Sequence, residues 1–108
     1  MSGSSPESVN GVPIRLTGER WSHIVRRHPE MKNHQRHVVE TVTNPDFVAK
    51  GIRGDLKAAR LYADLPMGPR YLIVVYKEVG PDDGFIITAR ISSDVGNVIR
   101  GGIAWQRK

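Results

Sequence analysis

The four histidines of this chain all fall in one short stretch, as His23, His28, His34 and His37. His28 stands in the tripeptide His28-Pro29-Glu30. A histidine and a carboxylate two residues apart can serve as an acid/base pair, or as a base and the group that orients it. Pro29 forces a helix to end near His28, because proline lacks the N–H and restricts the residue before it. On a regular helix His23 and His28 point to different sides, and only such an end lets them converge. The competing reading of His23 is a packing residue beside Trp21. His34 and His37 share a helical face at i, i+3, with Glu30 nearby, which raises a metal-binding reading. The H-E-x-x-H spacing of a zinc helix is absent, so these two read as surface histidines. No metal and no other cofactor is expected.

A second constellation comes from alternation in the C-terminal half. In residues 56–64, Ala59, Leu61 and Ala63 fit a core, while Arg60, Tyr62 and Asp64 fit the opposite face. In residues 85–92, Phe85, Ile87, Ala89 and Ile91 belong under the helices. Ile86, Thr88, Arg90 and Ser92 belong on the open face. Residues 70–79 are apolar on both sides, so their register stays open; if Leu72, Val74 and Tyr76 face inward, Tyr71 and Lys77 join the open face. Cations and hydroxyls gathered on one sheet face suit a phosphate-containing ligand. A solvated sheet face shows the same alternation.

The elements that must hold these residues run helices first, strands after. Thr17 is a good N-cap, and Glu19 suits the positive end of a helix over residues 18–28. Trp21, Ile24 and Val25 form its apolar side. A second helix is expected over residues 33–43, with Val38, Val39 and Val42 inward and Asn44-Pro45 as its stop. The period then changes from 3.6 to 2. Strands are expected at 47–53, 56–64, 70–79 and 85–92, separated by Gly- and Pro-rich turns. From Asp94 the tail is Gly-rich and irregular and returns to the apolar Ile103-Ala104-Trp105. The expected fold class is α+β: two N-terminal helices packed on one face of a four-stranded antiparallel β-sheet. Residues 12–16 suit a short extended segment. Residues 1–12 read as a flexible leader or tag, and 13–108 as a single domain.

The chain has 108 residues, enough for one small core and not for two. It has no cysteine, which excludes disulfides, thiolate zinc sites and a cysteine nucleophile. No apolar run is long enough to cross a membrane. The net charge is +5, spread over both halves. That fits an anionic partner such as nucleic acid, and equally an ordinary solvated surface.

Several stretches, in order, resemble a known family. They are residues 14–24 (IRLTGERWSHI), 27–31 (RHPEM), 60–62 (RLY), 71–77 (YLIVVYK), 85–90 (FIITAR) and 101–105 (GGIAW). Together they are similar to a phage-associated nuclease-like family of the barnase–EndoU–colicin E5/D–RelE superfamily, over roughly Pro13 to Trp105. The resemblance implies a metal-independent endoribonuclease-like domain, of the kind that acts as a toxin on RNA in the cytoplasm. Such domains pair with an antitoxin or immunity protein, or are delivered as effector modules. The implied reaction is attack of the ribose 2′-OH on the adjacent phosphorus. It needs a base, an acid and cations, and no enzyme nucleophile. Carried onto this chain, His28 is the acid/base, His23 a second candidate, and Glu30 its orienter or partner. Arg60 and Arg90 bind the scissile phosphate, with Thr88 donating a hydrogen bond. Lys77 and Arg100 add cations, Tyr62 stacks on a base, and Trp105 belongs to the terminal signature on the substrate side. The alternative is a catalytically inactive RNA- or nucleotide-binding module, or a protein-interaction module of a phage or mobile-element protein.

Overall fold

The computed structural model describes residues 6–108. Helix α1 spans Gly18–Arg27, and the Thr17 hydroxyl accepts a hydrogen bond from the Arg20 N–H at 3.1 Å. That bond satisfies one of the donors a helix start leaves orphaned. Glu19 in the first turn and Arg26 and Arg27 in the last complement the helix dipole. Pro29 stops the helix as expected. His28 takes φ −133°, ψ 77°, and the chain goes on as a 3-10 turn, Pro29–Met31. Helix α2 spans Gln35–Thr43 and buries Val38, Thr41 and Val42. Thr41, not Val39, completes its inward side, and its hydroxyl donates back to the His37 carbonyl at 2.7 Å.

Strands β1 (Phe47–Lys50), β2 (Leu56–Tyr62), β3 (Arg70–Gly80) and β4 (Asp83–Ser92) form an antiparallel meander. A fifth strand, β5 (Ile103–Gln106), pairs with the free side of β1, giving the order β4-β3-β2-β1-β5. The class is therefore α+β with helices on one sheet face, and the expected four strands become five. The added strand lies in the tail expected to be irregular. Its approach depends on Gly101, where any Cβ would run into the Lys50 carbonyl oxygen.

Cross-strand partners share a face, so the register sorts the sheet. The row Val48–Ala58–Val74–Ala89 faces the helices, where it meets Ile24, Met31, Val38 and Val42 in one core. The row Phe47–Ala59–Ile73–Arg90 faces the other way. That second face is not open throughout. Val98, on a 3-10 turn (Val98–Gly101), packs with Ala49, Ala59 and Ile73 beneath it. This explains why β3 is apolar on both sides: Leu72, Val74 and Tyr76 serve the helix core, and Ile73 serves the second cluster.

On two strands the register differs from simple alternation. On β2, Arg60 pairs with Leu72 on the helix face, and Leu61 pairs with Tyr71 on the other. Ala58 and Ala59 are both buried, one in each core, so the alanine pair carries no facing signal. On β4 a bulge breaks the period. Val75 pairs with Thr88 but Tyr76 with Ile86, leaving Ile87 as the extra residue. Ala89 and Ile91 keep the expected inward side, whereas Ile86 takes the core place expected for Phe85 and Ile87.

The expected leader is partly built into the fold; its residues 1–5 lie outside the described ones. Residues 8–12 close a turn through Gly11 N–H to the Ser8 carbonyl and Ser8 N–H to the Val12 carbonyl, both at 2.9 Å. Ser8 and Val12 are buried, and Val12 joins the helix-side core. The chain then runs beside β4, with Arg15 N–H donating to the Gly84 carbonyl and Ile86 N–H to the Arg15 carbonyl. No helix among the described residues is long and apolar enough to cross a membrane.

Candidate functional site

The end of α1 and the bulge of β4 together form a cleft of about 260 Å³. Its walls are Arg20, His23, Arg27, His28, Ile87 and Thr88. Each wall has a local cause. Arg20, His23 and Arg27 recur at i, i+3, i+7, one face of a helix. His28 reaches the same cleft because Pro29 ended the helix one residue earlier. Its Nδ1 lies 3.6 Å from the Glu30 carboxylate, on the following 3-10 turn. The bulge sets Ile87 and Thr88 side by side at the seam, and Arg20 donates to the Ile87 carbonyl at 3.3 Å. Bulges re-aim side chains at such seams.

His23, His28, Glu30 and Thr88 are thus brought to one place. Arg20 and Arg27, which the sequence reading did not single out, supply the cations there. Their helical spacing with His23 was the signal that would have found them.

The remaining expected site residues lie elsewhere. Arg60 is on the helix face, where its Nη1 donates to the Asn44 carbonyl at 2.7 Å. That carbonyl sits at the C-cap of α2, an orphan acceptor at the negative end of the dipole. Arg107 Nη2 donates to the same oxygen at 2.9 Å. Arg60 is therefore a helix clamp and does not share a face with Arg90. Tyr62 is buried, so it offers no ring for a base to stack on. Its hydroxyl lies 3.0 Å from the Glu40 carboxylate, which takes its single proton, and within 3.1 Å of Thr41 Oγ1 and 3.2 Å of the His37 carbonyl. Burial, chiefly, pushes its phenol up to about 12.

Arg90 lies opposite Ile73 on the face away from the helices and does not line the cleft that Thr88, beside the bulge, helps to wall. Lys77 stands opposite Phe85, one strand in from the edge. Arg100 and Trp105 belong to the β5 side of the sheet, four strands from β4, and Trp105 packs against the helix-side core.

His34 and His37 are half-buried, not simply surface groups, with Nδ1 atoms 3.2 Å apart. Burial and then the neighbouring His37 lower the His34 pKa. Among the described residues no group of three or more His, Asp or Glu side chains is placed to hold a metal.

No family model matches this chain, and no curated protein or solved structure matches it.

Proposed function

We propose that the α1–β4 cleft cleaves RNA by acid/base chemistry. The observation that carries this reading is the convergence of His23 and His28 in one cleft with Arg20, Arg27 and Thr88. One histidine removes the proton of a ribose 2′-OH as its oxygen attacks the adjacent phosphorus. The other gives a proton to the departing 5′-oxygen, leaving a 2′,3′-cyclic phosphate and a 5′-OH end. Glu30 orients the His28 ring and balances its charge when it carries the proton. Arg20 and Arg27 stabilise the charge that gathers on the phosphoryl oxygens, and Thr88 donates a hydrogen bond to them.

The resemblance to the barnase–EndoU–colicin E5/D–RelE superfamily supports the same chemistry, and two helices against an antiparallel sheet are compatible with it. On this reading the protein is a toxin-like domain whose partners are RNA and an antitoxin or immunity protein. The test is cleavage of total RNA by the purified protein in EDTA. Cleavage that His28→Ala abolishes, with the fold intact by circular dichroism, is the expected result. Undiminished cleavage by His28→Ala would remove the assignment. Salt-sensitive binding without cleavage would make this an inactive RNA-binding module instead.

A further inference from the structure

The cleft does not end at His23. A second cavity, of about 250 Å³, is walled by Thr17, Glu19, Arg20 and His23. A third, of about 170 Å³, is walled by Arg15, Thr17, Arg20, Phe85 and Ile86. Arg20 borders all three; the second also shares His23 with the cleft and Thr17 with the third, so they lie in series as a groove along the α1–β4 seam. We propose that this groove holds a single strand of RNA, with Phe85 as the platform on which an unpaired base stacks. The inference rests on the proposed cleavage reading and names the form of substrate it takes.

The charge along the groove is graded. Arg20, His23 and Arg27 make a row about 10 Å long at 1.5 Å of rise per residue. Arg27 forms no ion pair with a described residue. At the other end Arg15 is neutralised by Asp83 in a two-pronged pair, at 2.9 and 3.2 Å. Glu19, on the wall between, disfavours a phosphate there. Phosphates therefore belong near Arg27 and the histidines, and an uncharged group belongs near Phe85.

Phe85 is suited to that group. It is half-buried and lines the groove. Its backbone is clamped on both sides, since Gly84 accepts from Arg15 N–H and Ile86 donates to the Arg15 carbonyl, each at 2.9 Å. Phe85 is thus held at a fixed backbone position on the wall of the cavity that Arg15 and Arg20 also line. A base stacks on an aromatic ring whatever its identity, and only an unpaired base can reach it.

The experiment measures binding of a short fluorescein-labelled single-stranded RNA to the His28→Ala protein in EDTA, by anisotropy. Adding Phe85→Leu keeps apolar packing but removes the ring, and is expected to weaken binding about tenfold. Phe85→Trp restores it. The same sequence as a duplex binds more weakly and does not respond to Phe85→Leu. Unchanged single-strand affinity in Phe85→Leu overturns the inference, as does equal binding of duplex and single strand. Failure of the cleavage reading shows separately, as RNA cleavage that persists in His28→Ala with Phe85 in place.

Discussion

His28 and Glu30 make the most specific demand on chemistry, because a pair 3.6 Å apart is either a catalytic orientation or a surface contact. The two differ in kinetics. On the proposed reading His28 is a general acid or base, a role that contributes roughly 10²–10⁴-fold to a rate, so His28→Ala should lower kcat by about that much. Glu30→Gln, which keeps a hydrogen-bond acceptor, costs less. The proposed reaction uses one group as base and one as acid, so its pH–rate profile should be a bell, and removing either histidine should delete one limb. A profile that keeps both limbs in His23→Ala would take His23 out of the mechanism. Two tyrosines make a separate prediction about stability. Burial pushes Tyr62 up to about 12 in the fold, and burial also raises Tyr76, whose hydroxyl has no hydrogen-bond partner among the described residues. Groups raised in the fold hold their full stabilisation below the ordinary tyrosine value of about 10, and lose it as pH rises through their folded values. Stability should therefore fall between about pH 10 and 12, and Tyr62→Phe should flatten part of that fall in urea unfolding. At neutral pH the two variants differ. Tyr62→Phe loses bonded partners and costs about 1 kcal/mol, whereas Tyr76→Phe removes an unpaired buried hydroxyl and is neutral or stabilising.

At the scale of elements, both helices and four strands were legible because each carries a signal that survives packing. Thr17 and Pro29 bracket α1, Asn44-Pro45 stops α2, and β3 is long and β-branched. What failed was facing, and each failure has a local cause. Ala58-Ala59 is small enough to be buried on both faces, so alternation inverts β2 and puts Arg60 on the open face instead of over the helices. The β4 bulge shifts the period by one within a single strand, which alternation cannot show. β5 has only four residues and follows a glycine pair, so it carries too little pattern to be seen. Half of the candidate cleft is legible in the sequence, as His23, His28 with its partner Glu30, and Thr88; the cations that line it, Arg20 and Arg27, stand on α1, where alternation along the strands cannot point. Two element-scale variants test the packing. Gly101→Ala must push β5 off Lys50, and should cost more than about 1 kcal/mol in thermal unfolding. Deleting residues 1–12 removes Val12 from the core and should cost about 2 kcal/mol. An unchanged midpoint after that deletion would show that the 8–12 turn contributes nothing to the domain.

Over the whole molecule, the net charge of +5 divides by use. Arg60 and Arg107 hold the end of α2, and Arg15 is paired with Asp83. Arg20 and Arg27 line the groove. Only cations that meet phosphates release counterions, so RNA affinity should report the groove and not the total. For single strands each phosphate contact contributes about 0.7 to the slope of log K against log salt. Arg27→Ala should therefore lower that slope by about 0.7 and weaken binding at low salt. Arg107→Ala removes the same formal charge but loses hydrogen bonds to the Asn44 and Pro45 carbonyls. It should lower the unfolding midpoint and leave the slope unchanged. Anisotropy titrations of the His28→Ala protein across a salt series compare the two directly. Equal loss of slope in both variants would mean that RNA responds to overall charge and that the α1–β4 groove has no special claim on it.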